Sequence, residues 1–316
     1  MKDCLKYLIL AAVAAFTLAG SSYAQSCTVE AEKPVYQKFL SNYNGTPEQQ
    51  KQANGAAQEY LEKFGECSSD AEKKVTEYLT MWSAKYDIAV AEYDCVKGAN
   101  DAAPQSLVAC QTFAAKDPEN LKAYLLLSRI LLAHTDQTPL RKPTVQNMRK
   151  ALDLIAAGKT VDTWYVAENQ AEAKGTLEFY IAYMTLDQSP TEAAAVMHRL
   201  ALSKLSFSKY AGTYYALGTS IFKSEYKKSS DAYIARCGSK EVTPECTAEY
   251  KSTMGILDRA MDAFARAIVY GKDDPKSAAF VTQSRTNLTE IYKQTHNGSE
   301  DGIDRFIADV LSRPLP

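Results

Sequence analysis

The residues able to do chemistry are few and scattered. Histidine occurs three times, at His134, His198 and His296. None stands in an H-E-x-x-H helix, and no two are close enough in sequence to suggest a shared metal. Each reads as a helix-end or surface side chain. There is no G-x-S-x-G elbow, no Walker loop and no G-x-G-x-x-G turn, so the usual scaffolds of acyl transfer and nucleotide binding are missing. The seven cysteines include no C-x-x-C spacing of the kind that redox and zinc sites use. Paired carboxylates stand at Asp273-Asp274 and Glu300-Asp301. Both flank expected helix starts, where the helix dipole favours negative charge. Asp94, Asp153 and Glu178 fall on helices as solvated-face charges. The sequence nominates no catalytic, cofactor-binding or metal-ligating residue and implies no cofactor.

The twenty tyrosines are a different resource. A tyrosine ring packs while its hydroxyl reaches a polar edge. Concave surfaces rich in such rings also suit peptide contact, because the side chain is large, rigid and amphipathic.

The cysteines depend on compartment. Lys2 and Lys6 precede an apolar run from Tyr7 to Gly20, and Ser22 and Ala24 are small residues at −3 and −1 of a cut after Ala24. This is the layout of a secretory signal peptide. The 14-residue run is short of the roughly 20 residues that span a bilayer. The mature chain is then expected to be exported, to the periplasm or the extracellular space, without a transmembrane segment. A lipoprotein reading competes through Leu18-Ala19-Gly20, but Ser21 stands where the lipidated cysteine would be, and Cys27 follows the poor match Ala24-Gln25-Ser26. Cleavage discards Cys4 and leaves Cys27, Cys67, Cys95, Cys110, Cys237 and Cys246, an even set suited to disulfides outside the cytoplasm.

Composition narrows the class. The 316 residues carry a formal net charge of −2, which lacks the basic footprint of a nucleic-acid binder. The 46% apolar content is too high for a disordered chain. Nearly everything after Ser26 has the i, i+3, i+4, i+7 apolar period of helices. Turn chemistry punctuates it at Asn44–Pro47, Gly65–Ser69, Gly98–Pro104, Asp117-Pro118, Thr138–Pro143, Gly158, Ser189-Pro190, Gly238–Pro244, Asp273–Pro275 and Asn297-Gly298. The expected fold is all-α, with helices of about 12 to 25 residues in stacked antiparallel hairpins.

Within that pattern, Pro118, Tyr124, Leu127, Ser128 and Leu131 stand at fixed spacings, preceded by Ser106, Cys110 and Phe113. Tyr214, Leu217, Gly218 and Ile221 repeat the first-helix set. Ala260, Phe264 and Ala267 supply a second-helix set, with Pro275 three residues late. Leu288, Thr289 and Tyr292, then Gly302, Phe306, Asp309 and Pro314, give a last copy. This arrangement resembles the tetratricopeptide repeat family, well over 104–134 and 211–316, weakly over 140–205, and not by motif over 27–85. Phe113 and Asp309 depart from the family's small residues, the latter as a capping repeat would. The resemblance implies a right-handed superhelical stack of helix hairpins. The competing architecture is an irregular helical bundle. The expected organisation is a signal peptide over 1–24, N-terminal hairpins over 25–103 and repeats over 104–316, with 25–316 continuous as one domain.

In tetratricopeptide proteins, fixed first-helix positions line a concave groove. Carried over, these are Lys122, Leu125, Arg129 and Leu132, then Tyr215, Thr219 and Phe222, then Gln283, Thr286, Glu290 and Lys293. The lining is mixed, lacks a paired basic clamp and names no ligand.

Hairpin geometry suggests the disulfides. Cys27 just before one helix and Cys67 just after the next would clamp an open hairpin end. Cys95 and Cys110 lie at similar heights across another hairpin, either bridged or as two small core residues. Cys237 and Cys246 enclose a short turn-rich loop, the firmest bridge. Ala260 follows Gly218 by 42 positions where the family has 12, so about 30 residues are inserted. Phe222, Tyr226, Ser229, Tyr233 and Cys237 continue the first-helix stripe, and Cys246, Tyr250, Met254, Leu257, Met261, Phe264 and Ile268 form a heptad-like seam. An elongated coiled-coil hairpin near 211–270 is expected, its inserted arm at about 223–252. Such an arm either projects, where it could contact a partner or a second subunit, or folds back as core.

The expected function is a non-enzymatic protein–protein interaction or scaffold protein of the bacterial cell envelope. Its partner would be a protein or peptide, with no nucleic acid. A helical enzyme with a site assembled from distant residues and an envelope-assembly lipoprotein are the alternatives.

Overall fold

The computed structural model describes residues 27–101, 104–133, 138–238 and 243–316. The expected signal peptide with Cys4, His134 and the middle of the loop between Cys237 and Cys246 lie outside the described residues. Among the described residues the regular structure is all helical, without a strand. The chain divides into two compact units, one up to Val90 and one from Ala91 onward.

In the first unit, α1 (Val29–Leu40) and α2 (Pro47–Phe64) form a hairpin, followed by the start of α3 (Asp70–Asp101). Local chemistry sets the boundaries. The Thr28 side chain accepts from Ala31 N at 3.4 Å. Thr46 and Gln49 cap α2 reciprocally, with Pro47 in the first turn, where its missing N–H costs nothing. Ala53, Ala56, Ala57, Tyr60 and Phe64 form the buried stripe of α2 and meet Phe39 and Leu79. Rings do much of the packing: Phe39 lies 5.4 Å from Tyr43 in a stack and 5.0 Å from Trp82 edge-on, geometries that suit the ring quadrupole. Cys27 and Cys67 are bridged with Cα atoms 5.8 Å apart, joining the start of α1 to the end of α2.

In the second unit, α3 runs through Gly98 and ends at Asp101, so the break expected from Gly98 starts later. The reason is close approach. A side chain at Gly98 would collide with Ser106 of α4 (Pro104–Lys116), and Ser106 is buried. Small residues here bring the Cys95 and Cys110 Cα atoms to 4.5 Å in a second disulfide.

The chain continues as α5 (Leu121–Leu132), α6 (Arg141–Ala156), α7 (Gln170–Thr185), α8 (Pro190–Ala201) and α9 (Ala211–Ile221). A π-turn at Phe222–Tyr226 leads into α10 (Lys227–Cys237). Then come α11 (Pro244–Gly271), α12 (Ala278–Thr295) and α13 (Ile303–Ala308). Each helix from α4 to α9 packs on the next; α9 also packs on α11 and α12, and α11 on α12 and α13. Asn120 and Asn169 cap α5 and α7. Leu121, Leu125, Met148, Leu154 and Leu177 join α5, α6 and α7. The irregular segment between α6 and α7 lays Trp164, Tyr165 and Val166 over that cluster. A larger core contains Phe179, Met197, Leu217, Met261, Phe264 and Leu288. Gly218 faces Phe264 so closely that an added Cβ would sit 2.9 Å from two ring atoms.

Arg266 is buried and serves as a latch. Its Nε donates to Asp262 Oδ1 at 2.5 Å, and Nη2 donates to the carbonyls of Val310, Arg313 and Pro314 at 3.1, 2.7 and 3.0 Å. A buried charge persists only when paired and hydrogen-bonded, so these contacts hold the C-terminal segment against α11.

The inserted arm is an antiparallel helix pair, α10 on the first half of α11, closed by Cys237–Cys246 with Cα atoms 5.7 Å apart. Ser229 and Thr253 share a 2.7 Å hydroxyl contact, Tyr233 and Tyr250 lie 5.8 Å apart, and Arg236 pairs with Glu249. Cys237 is the buried residue of α10. The first helix of the arm carries the π-turn where it leaves α9, within an otherwise unbroken helical run from Ala211 to Cys237. Phe222 stacks on Tyr226 at 5.0 Å and is 37% exposed.

Candidate functional site

The residues nominated for a groove are not brought together as a set. Leu125 is fully buried and Leu132 packs against the same cluster. Lys122 is half-buried, ion-paired with Glu92, and 5.9 Å from the Tyr165 ring centre. Burial opposes its charge, but Glu92 and Tyr165 together outweigh burial and raise its pKa. Arg129 is exposed on α5. On α12, Gln283 donates to Asn287, Thr286 to the Thr282 carbonyl, Lys293 pairs with Glu300, and Glu290 is exposed.

Tyr215, Thr219 and Phe222 behave differently, because they border a cleft. α9 presents Tyr215, Thr219 and, one turn on, Lys223 to an opening of about 370 Å³. The opposite wall is the face of α7 carrying Tyr180, Tyr183 and Met184, extended by Asp187, and Arg141 at the start of α6 closes one side. The spacing of 180, 183, 184 and 187 puts these residues on one helical face. The Asp187 carboxylate pairs with Lys223 across the rim. Two adjoining openings extend it. One runs along α6 past Lys142 and Arg149. The other runs along the π-turn past Phe222, Tyr226 and Lys227.

A ring cluster supports the cleft. Phe280 of α12 lies 5.8 Å from Tyr183, 5.8 Å from Tyr210 and 5.5 Å from Tyr215, and Phe179 is 5.1 Å edge-on to Tyr180. Burial raises the pKa of Tyr180, Tyr183 and Tyr210, the last to about 12, so these phenols are neutral donors at physiological pH. Among the described residues, the hydroxyls of Tyr180, Tyr183 and Tyr215 make no hydrogen bond, and Thr219 Oγ1 is buried without a partner. Sequence reasoning missed Arg141, Tyr180, Tyr183, Lys223 and Phe280. The i, i+3, i+7 spacing of Tyr180, Tyr183 and Asp187 was the available signal, within the stretch where the repeat pattern is weakest.

His296 and Asp274 are engaged elsewhere. His296 caps α12, stacking on Tyr292 at 3.8 Å. Asp274 accepts from Lys276 N and Ser277 Oγ at the next helix start. Glu32, Cys67 and Glu72 bring possible ligand atoms within 4.8 Å of one another. However, the Cys67 sulfur is bonded to Cys27, Tyr60 donates to Glu32 at 2.7 Å, and Glu72 accepts from Ser69 N. That set suits a hairpin clamp better than an ion. No helix among the described residues is long and apolar enough to cross a membrane. Comparison of the chain with family models, curated proteins and solved structures finds no match.

Proposed function

We propose that this chain is an exported, non-enzymatic binding or scaffold protein of the bacterial cell envelope, whose tetratricopeptide-like hairpins present the α7–α9 cleft to a protein partner. The observation that carries this reading is the cleft itself. It is an open groove walled by Tyr180, Tyr183 and Tyr215, beside which the Thr219 hydroxyl is buried without a partner. Buried polar groups normally find partners, and tyrosine-rich walls are suited to peptide contact. The repeat-like residues support the architecture: Leu127, Ser128, Leu131, Leu217, Ala260, Phe264 and Ala267 are all buried, and Gly218 gives α9 and α11 their close approach. Three disulfides are compatible with export.

Photo-crosslinking tests the reading. A photoreactive residue at position 215 should yield a defined protein adduct in intact cells, whereas one at exposed Leu202 should not. Equal labelling from both positions removes the cleft from the function. Mass spectrometry of the mature N-terminus tests export: a free Gln25 is expected, and a diacylated cysteine would favour the lipoprotein reading.

A further inference from the structure

Resting on the proposed peptide-binding role of this cleft, we infer that its ligand is an acidic peptide segment, with a side-chain carboxylate seated at Arg141 and apolar neighbours against Tyr183 and Tyr215. The first argument is charge. The cleft and its two extensions carry the cations Arg141, Lys142, Arg149, Lys223 and Lys227 against the carboxylates Asp187 and Asp231. Asp187 is taken by Lys223 and Asp231 by Lys227. Among the described residues, Arg141, Lys142 and Arg149 have no carboxylate within ion-pair distance. A local surplus of positive charge on a chain of net charge −2 is a complementary surface for an anion.

The second argument is hydrogen-bond polarity. The unpartnered groups that line the opening are the guanidinium of Arg141 and the phenols of Tyr180, Tyr183 and Tyr215. The guanidinium only donates, and each hydroxyl has a proton to give. The ligand group that uses several donors at once is an acceptor with two oxygens, and arginine matches a carboxylate in bidentate fashion. The third argument is the wall. Tyr183 and Tyr215 are held by Phe280, so their faces are pre-positioned for apolar side chains and lose little entropy on binding.

The test is selection of a displayed library of random twelve-residue peptides on the full oxidised chain. Enrichment of Asp and Glu is expected. Affinity should fall about tenfold or more in Arg141→Gln, the size of one charge-assisted hydrogen bond. It should be largely retained in Arg141→Lys at low salt and should weaken as salt rises. Because Arg141 is exposed and unpaired, thermal melting of both variants should match the parent. Selected peptides that lack acidic residues, or that bind Arg141→Gln as well as the parent, overturn the acidic reading. If those peptides are still lost in Tyr215→Ala, the cleft reading survives alone. Peptides indifferent to both substitutions overturn both readings. Arg141-dependent sedimentation with phosphatidylglycerol vesicles, without peptide selection, would replace the peptide by a membrane and overturn the inference.

Discussion

Tyr210 illustrates how burial becomes behaviour. Its phenol is pushed up to about 12, first by desolvation and then by neighbouring Tyr180 and Asp274, and Tyr180 and Tyr183 shift the same way. A phenol whose folded pKa is raised contributes stability that is complete below its unfolded value near 10 and is lost as pH rises through the folded value. Absorbance titration should therefore show a delayed class of tyrosines, and unfolding should set in between about pH 10 and 12. At Gly218, valine would drive methyl groups into the Phe264 ring; overpacking costs about 1–3 kcal/mol, and a lower melting temperature should report it. Arg266→Met would leave Asp262 with only its 3.5 Å contact to Arg313 and remove the side-chain donor from three carbonyls. A loss of about 3–5 kcal/mol is expected, with hydrogen exchange rising first over residues 303–316. These sites differ in legibility. Gly218 was visible because a repeat pattern puts a small residue opposite a large one. Arg266 was not, because only Asp262 is local, four residues before it, while the three carbonyls that make it a latch lie 44 to 48 positions away and no local period encodes them.

Among the elements, helices with side-chain caps were legible. Thr46-Pro47-x-Gln49 marks the start of α2 before any packing is known. The segment between α6 and α7 was not, since Trp164 and Tyr165 follow no helical period and acquire their role only by covering Leu121, Met148 and Leu177. Half of the candidate cleft was hidden for a related reason. Tyr180 and Tyr183 share α7 with a buried face, and only the presence of α9 and α6 turns their other side into a wall. The arm was anticipated as a helix pair tipped by Cys237–Cys246, and its thin interior decides its energetics. With Cys237 the buried residue of α10, replacing 230–252 by a short turn should leave one cooperative transition and move the melting temperature by only a few degrees. Loss of cooperativity would show that the arm is part of the core.

For the whole molecule, three covalent loops act on two compact units. The bridges span sequence separations of 40, 15 and 9 residues. Loop-closure entropy assigns about 3–4 kcal/mol to the two longer ones. Non-reducing peptide mapping should find these three pairs, and reduction should lower stability far more than loss of the arm does. The all-helical class followed from the apolar period. The division at Val90 did not, because it falls inside the unbroken α3, where no turn chemistry announces it.

The π-turn at Phe222–Tyr226 has a consequence for how the arm is aimed. One extra residue in a helix advances its phase by about 100°, and π-turns are single-residue dislocations of this kind. The stripe that packs α9 into the core and the stripe that seats α10 on α11 are thus two phases joined by a bearing. Removing one residue there would swing Ile234 and Tyr233 around the helix axis while leaving the arm's length almost unchanged. The azimuth of the arm is set by five residues, and three of them, Phe222, Lys223 and Tyr226, line the cleft or its extension.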